Sequence, residues 1–233
     1  MEQRSTELTS TLELVPVLAG DVTPERWYAV LRPATAYDLP NIHPWTAELA
    51  IGRIRHPRPG EEAHRWLATV DGVDVGGVAL QLPLVDNTAT ALVYLFVLPE
   101  HRRRGIGTRL LEHAVEQARA AGRTRMFAEA GAALDQQTSP GMAFLERHGF
   151  VAALGDLLSQ LHLDRLDESA VEAMAAEARV MSSGYALEVW QGPPATDEVC
   201  AQLGHLEGTL SEDAPLGDLE WERENWDADR VRG

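Results

Sequence analysis

The clearest periodicity in the sequence lies in the stretch after Gly105, where apolar residues recur at steps of three and four. This spacing places the apolar side chains on one face of a helix. The positions concerned are Ile106, Leu110, Leu111, Ala114, Val115 and Ala118. Gly122 follows as the expected helix end, because glycine readily takes the backbone conformation that terminates a helix.

The stretch before this helix follows a different rhythm. Residues 64–83 predict two strands around a turn that contains Asp71 and Gly72. Residues 88–99 (TATALVYLFVLP) predict a third strand, which is apolar enough to be buried on both faces. Together these residues predict an antiparallel meander that leads into a central strand.

The first 60 residues predict one strand and two helices. Leu12–Val17 is the strand, and a helix follows with Thr23 as its N-cap and Pro24 at its first position. Thr46–Arg55 predicts a second, shorter helix, which the proline-rich segment 56–60 ends.

Further elements follow the long helix. Residues 123–131 predict a strand, and residues 139–150 predict a short helix that Gly149 stops. Residues 157–166 predict a last strand, with a further short strand at Phe150–Leu154. The order predicts a mixed α/β fold, with a mostly antiparallel central sheet flanked by helices.

We place the first domain at residues 1–166 and a helical linker, rich in alanine and glutamate, at 167–185. Residues 186–233 predict a strand followed by two helices, and Asp213-Ala214-Pro215 lies where Asp38-Leu39-Pro40 lies in the first domain. The shared order of elements predicts a partial second copy of the first fold.

The net charge of -16 argues against nucleic acid as a partner, because phosphate backbones are bound by basic surfaces. Residues 186–233 hold twelve acidic residues against three arginines, a net of -9 that is more than half of the excess. All 20 basic residues are arginine. A lysine Schiff base and a lysine-dependent Walker phosphate loop are therefore excluded.

The longest apolar run, Ala91–Leu98, is shorter than half of the roughly 20 residues that cross a bilayer. Cys200 is the only cysteine, so no internal disulfide forms, and no group of cysteines and histidines has metal-ligand spacing. We therefore expect a cytoplasmic protein with no membrane association and no metal site.

The turn between the central strand and the long helix is basic and rich in glycine. Gly105 and Gly107 permit close backbone approach, and Arg102–Arg104 supply charge and forked donors for phosphate oxygens. The start of a helix adds unpaired N–H groups and the positive end of the helix dipole. A solvated turn is the plain alternative. A dinucleotide fingerprint is disfavoured, because Leu110 stands where its third glycine belongs.

Two motifs resemble the GNAT superfamily of N-acetyltransferases. Arg102–Gly107 matches the acetyl-CoA signature of that family, and Ala143–Phe150 (AFLERHGF) matches a second motif about forty residues later. The resemblance covers residues 10–166. The remainder resembles the opening of a second GNAT domain, as in the tandem-GNAT proteins common in actinobacteria.

The resemblance implies that acetyl-CoA binds along the central strand and at the basic turn. The backbone of Phe96 and Val97 would pair with pantetheine, and the Val97 N–H would act as oxyanion donor. The turn and the start of the helix would hold the pyrophosphate. The residues implied at the turn are Arg102, Arg103, Arg104, Gly105, Ile106, Gly107 and Thr108.

The resemblance fails at the usual acid, because Leu145 stands where the family places a tyrosine near the sulfur of CoA. Glu129 is the first candidate for the base and Tyr94 the second. A surface carboxylate and a core aromatic are the respective alternatives.

The expected activity is acetyl-CoA-dependent N-acetyl transfer to a primary amine of a small molecule, with cationic acceptors favoured by the acidic charge. The alternative is a non-catalytic acyl-CoA-binding or regulatory module. Trp190, Trp221 and Trp226 give the C-terminal segment apolar surface to bury. We expect it to pack on the first domain, or on a second copy as a homodimer.

Overall fold

Five strands form one sheet in the computed structural model, which describes residues 11–40, 45–192 and 196–232. Their order in the sheet is the order in the chain. The first four strands pair antiparallel with their neighbours, and the last pair is parallel. The strands are β1 (Leu12–Pro16), β2 (Glu61–Val70), β3 (Val73–Pro83), β4 (Thr90–Val97) and β5 (Arg125–Ala128).

Helices cover both faces of this sheet, which confirms the predicted mixed α/β fold. Within the described residues, no helix has the length and apolar character needed to span a membrane. The helices are α1 (Thr23–Asp38), α2 (Ala47–Arg55), α3 (Ile106–Ala120), α4 (Pro140–Arg147), α5 (Glu168–Met181), α6 (Asp197–Asp213) and α7 (Ala228–Arg232).

The two faces of the sheet have separate cores. The predicted apolar face of α3, with Ile106, Leu110 and Ala114, packs on one side against β3 and β4. Trp27 of α1 packs on the other side against Phe96, with ring centroids 4.8 Å apart in an edge-to-face arrangement. Alternation along β4 therefore sends odd-numbered side chains toward α3 and even-numbered ones toward α1.

At Gly77 the backbone of β3 lies in close contact with Trp27 of α1. A Cβ atom there would lie 2.6 Å from Cζ3 of Trp27 and 2.9 Å from Cζ of Phe96. Only glycine lets the indole lie this near to β3.

Several predicted boundaries are wrong. The helix α1 begins at Thr23 rather than after it, and the Thr23 hydroxyl accepts a hydrogen bond from the N–H of Leu18 at 2.7 Å instead of capping the helix. The strands predicted at residues 150–154, at residues 157–166 and at the start of residues 186–233 are also absent from the described chain.

The missing strands have a physical reason. An extended segment is stable as a strand only when a neighbour satisfies its backbone groups. Here the C-terminal segment contacts β5 instead, since Trp221 lies against Phe127. The carbonyl of Ala153 accepts from the N–H of Asp218 at 2.9 Å, and Leu161 and Leu187 stay exposed.

The C-terminal segment is attached to the loop between β3 and β4 through two buried side chains. The Asn87 side chain exchanges hydrogen bonds with the backbone of Glu222, accepting at 2.7 Å and donating at 3.1 Å. Asp86 accepts from the N–H of Asn225 at 2.9 Å and from the Arg230 guanidinium at 2.6 Å. The segment therefore packs on the first domain, which is the first of the two packing arrangements that the sequence predicts. The division at residues 166 and 185 stays a prediction.

Gly77→Ala is expected to lower the free energy of unfolding by about 1–3 kcal/mol, because the new methyl group overpacks the contact with Trp27. The melting temperature should fall by about 2–4 °C per kcal/mol. Gly52→Ala is the matched control: it lies inside α2 with no heavy atom within 4 Å of the added Cβ. It should stabilise by about 0.5–1 kcal/mol, and equal effects of both substitutions would contradict the packing.

Acidification is expected to release the C-terminal segment. Burial raises the pKa of Asp86, but the N–H of Asn225 and the Arg230 side chain outweigh that effect and leave the pKa below its ordinary value. The stabilisation is therefore present above the unfolded-state pKa of about 3.9 and is lost as pH falls through the lower native value. Limited proteolysis with an acid-active protease would show cleavage near Trp221 only at the lowest pH.

Asp86→Asn should expose the same cleavage site at neutral pH, since it weakens hydrogen bonds worth about 1.5–3 kcal/mol to a charged group. Asp135→Asn, at an exposed position, is the control. Unchanged resistance of Asp86→Asn would show that the attachment does not depend on this carboxylate.

Candidate functional site

The central feature of the site is a fork between β4 and β5. The two strands pair from Thr90 with Arg125 to Val93 with Ala128, and the pairing stops there. The strand β3 continues to pair with β4 as far as Val97. From Tyr94 onward, β4 therefore has a strand neighbour on one side only.

The open edge presents alternate residues of β4. Leu98 donates its N–H to the carbonyl of Val75 on β3 at 2.9 Å, so Leu98 faces β3. Backbone groups alternate in direction along an antiparallel strand. Leu95 and Val97 therefore turn their N–H groups toward the fork, whereas Phe96, opposite Gly77, faces β3.

The turn after β4 leads into an uncapped helix start. Gly105 is the N-cap of α3 with φ of 81°, and no side chain caps the helix. The first helical bond runs from the N–H of Arg109 to the carbonyl of Gly105 at 3.1 Å. The N–H groups of Ile106, Gly107 and Thr108 therefore have no helical partner. They point outward at the positive end of the helix dipole, which suits an anion.

The three arginines of the turn have different environments. Arg102 donates to both carboxylate oxygens of Asp38 at 2.7 and 2.8 Å and to the carbonyl of Val97 at 2.9 Å. Arg103, with φ of 63°, and Arg104 are exposed, and neither has a hydrogen bond or ion pair with a described residue. Arg102 therefore joins the end of α1 to the turn, and the other two carry unneutralised charge.

The predicted short helix α4 packs beside the helix start. Ser139 caps it by accepting from the N–H of Met142 at 3.2 Å. A Cβ at Gly107 would lie 3.3 Å from Cε2 of Phe144, so this helix permits no larger side chain there without movement. His148 lies 3.3 Å from the Thr108 hydroxyl.

Tyr94 lies where the fork opens. Its hydroxyl is 3.1 Å from the Thr35 hydroxyl of α1, while 44% of the residue remains exposed. Burial raises the pKa of Tyr94, and the negative charges of Asp38 and Glu129 raise it further, against the opposing effect of the Thr35 hydrogen bond. The phenol is therefore protonated at neutral pH, which disfavours the predicted second candidate for the base.

Glu129 is the first residue after β5 and is exposed. Met126 and Ala128 belong to the core beneath α3, so alternation turns Glu129 to the opposite face, the one that carries Tyr94. Glu129 follows the last paired residue of β5 as Tyr94 follows that of β4. The two predicted catalytic candidates therefore stand on opposite sides of the fork.

The end of α1 closes over this region. A Cβ at Gly131 would lie 2.9 Å from Cδ2 of Leu39, which shows how closely the loop after Glu129 passes α1. Thr35 and Asp38 of α1 were not predicted as site residues. A helix pattern does not show which of its polar positions faces a distant strand. Among the described residues, no group of three potential metal ligands occurs.

Arg102→Ala is expected to destabilise the fold by about 1–2 kcal/mol, since it removes a bidentate ion pair and a backbone contact that are only partly exposed. Arg104→Ala, at an exposed position without a partner, should stay within about 0.5 kcal/mol. Thermal unfolding of both variants tests the distinction. Equal melting temperatures would contradict a structural role for Arg102.

Comparisons with known proteins agree with this geometry. The family model described as the acetyltransferase (GNAT) family matches residues 25–150, more than half of the 233 residues. A comparison with curated proteins finds no match.

Solved structures share the fold. A tandem GNAT protein from the clavulanic acid biosynthesis pathway is 28% identical at a TM-score of 0.62, over 84% of this chain and 60% of that chain. A ribosomal-protein-alanine N-acetyltransferase from Brucella melitensis biovar Abortus 2308 is 16% identical at a TM-score of 0.50, over 65% of this chain and 100% of that chain. This chain thus spans 60% of the length of the tandem protein.

Proposed function

The chain belongs to the GNAT family of acetyltransferases, as the two motifs predicted, and on that premise we propose that it transfers the acetyl group of acetyl-CoA to a primary amine of a small molecule. The observation that carries the proposal is the fork, because it joins an unpaired strand edge to an uncapped helix start within one turn of chain. CoA has an extended pantetheine arm, which suits the strand edge, and a pyrophosphate, which suits the helix start.

The residues present suit CoA in two places. The N–H groups of Ile106, Gly107 and Thr108 would donate to pyrophosphate oxygens, with Arg103 and Arg104 supplying charge. Arg102 is committed to Asp38 and supports the turn instead. The bound group would supply the acetyl thioester.

The pantetheine arm would lie along the open edge of β4. Leu95 and Val97 present their N–H groups there, so we assign them this role in place of Phe96 and Val97. Negative charge on the thioester oxygen would be stabilised by one of these N–H groups, which the strand fixes before the reaction.

Glu129 is the proposed base. It is exposed at the mouth of the fork and faces the same side of the sheet as Tyr94. A carboxylate there would attract the ammonium form of the acceptor. Once that ammonium has lost one proton to solvent, the neutral amine attacks and Glu129 takes its second proton.

Tyr94 is the proposed acid, since Leu145 carries no exchangeable proton. In the balanced step, the amine nitrogen bonds to the acetyl carbon and the carbon–sulfur bond breaks. The Tyr94 hydroxyl gives its proton to sulfur, and Glu129 holds the proton lost by the amine. The raised pKa of Tyr94 keeps this proton in place at neutral pH.

The acceptor is proposed to be cationic, because the chain carries a net charge of -16 and steers positive ligands toward it. A non-catalytic acyl-CoA-binding module is the second candidate. Leu145 favours it, since the position that usually supplies the acid has no proton to donate.

Calorimetry at low salt is expected to show CoA binding by the native chain. Gly107→Trp should abolish it, because the indole would occupy the space beside Phe144 and block the helix start. Gly155→Trp, at an exposed position with no atom within 4 Å of its Cβ, should bind normally. Binding by Gly107→Trp would contradict the assigned pyrophosphate site.

Arg103→Ala combined with Arg104→Ala should weaken CoA binding about tenfold at low salt and less at high salt, since exposed charges are screened. Calorimetric titration with CoA at both salt concentrations would detect this loss of affinity. An unchanged affinity at both salt concentrations would remove these side chains from the site.

Thiol release with a panel of amines tests turnover. Glu129→Gln and Tyr94→Phe are each expected to lower kcat up to about a hundredfold, with little change in the KM for acetyl-CoA. Glu172→Gln, on exposed α5, is the control. Because Tyr94 stays protonated, native activity should persist to about pH 10. CoA binding without thiol release from any amine would favour the non-catalytic module.

A further inference from the structure

The C-terminal stretch Leu219–Trp226 runs beside the part of β5 that is still paired with β4, just before the fork. Arg125, the first residue of β5, donates to the Glu220 carboxylate at 2.6 Å and to its carbonyl at 3.0 Å. Phe127, two residues on, has its ring centroid 5.9 Å from that of Trp221. These contacts follow β5 toward Glu129.

The face of β5 that meets this stretch is the face of the proposed acceptor site. Met126 and Ala128 pack with the core beneath α3, so Arg125, Phe127 and Glu129 point to the other side. Residues two apart on one face of a strand are about 6.6 Å apart. Trp221 is therefore in contact with Phe127, the residue next to Glu129 on this face of β5.

The residues on both sides of Trp221 in the chain are hydrogen-bonded to the first domain. Glu222, next to Trp221, exchanges backbone hydrogen bonds with the buried side chain of Asn87, and Asn225 bonds to buried Asp86. On the other side Glu220 is paired with Arg125. Trp221 is thus positioned from two directions and does not hang freely from the surface.

We propose that Leu219–Trp226 forms one wall of the acceptor cleft, in which Trp221 and Phe127 bind the aromatic or apolar body of an amine whose nitrogen reaches Glu129. The proposal rests on the proposed function and names its acceptor class. Two adjacent aromatic rings next to a carboxylate suit an ammonium on an apolar body, because the rings bury the body and also attract the cation.

The opposite wall is already defined. Thr35 reaches Tyr94 from α1, and Leu39 lies against the loop that follows Glu129. With Trp221 beside Phe127, the floor between β4 and β5 has a wall on each side. A purely structural role, in which Trp221 only covers the edge of the sheet, is the alternative that the experiment must separate.

The test compares 2-phenylethylamine, which has an aromatic body, with ethanolamine, which has none. Trp221→Ala should raise the KM for 2-phenylethylamine about tenfold and change that for ethanolamine less than about twofold. The KM for acetyl-CoA should be unchanged, and Trp221→Phe should restore most of the affinity. Trp190→Ala, which removes an indole that is 47% exposed, is the matched control.

Equal effects on both amines, or a lower melting temperature with a uniform loss of kcat, would show that Trp221 only covers the sheet and would overturn the inference. Calorimetric binding of 2-phenylethylamine to the CoA-saturated chain adds a readout that needs no turnover. Binding that depends on Trp221 without any thiol release would support the inference while the proposed function fails. Turnover of 2-phenylethylamine that is insensitive to Trp221→Ala would leave the function standing and contradict the wall.

Discussion

The loss of pairing between β4 and β5 after Val93 and Ala128 is the constraint on which the site depends. A strand with one neighbour leaves the backbone N–H groups on its open side unpaired. A ligand with an extended arm can accept hydrogen bonds from them. The same loss of pairing separates Tyr94 from Glu129, so one break in the ladder creates both the edge proposed for the cofactor and the space proposed for the reaction. The helix start beyond the turn is the site proposed for its pyrophosphate.

Polar contacts attach α1 and the C-terminal stretch to the sheet. Arg102 joins the end of α1 to the carbonyl of Val97, and Asp86 with Asn87 attaches the C-terminal stretch to the loop between β3 and β4. Neither set contributes a group to acetyl transfer. Both position residues of the proposed cleft, because α1 carries Thr35 and the C-terminal stretch carries Trp221. The acidic tail that set the charge balance of the chain thereby becomes part of the proposed cleft.

Local pattern predicted the sheet, α3 and the turn between β4 and α3, because each depends on residues close together in sequence. The apolar run of β4 and the glycines after it indicated the candidate site, which stays a prediction. Pattern failed where partners decide the outcome: residues 157–166 alternate like a strand but lie where no neighbour pairs with them. It also treated Arg102–Arg104 alike, since only a distant residue, Asp38, distinguishes them. The sequence predicts that Trp221 is buried but does not identify its partner, because Phe127 lies 94 positions earlier in the chain.

Amide hydrogen exchange with and without CoA tests the central claim most directly, because it measures backbone N–H groups one by one. The account predicts that CoA slows exchange at Leu95 and Val97 and at Ile106–Thr108, whereas Phe96, already paired with β3, changes little. Protection that appears on Phe96, or that leaves Leu95, Val97 and the helix start unaffected, would contradict the assignment of the fork as the CoA site.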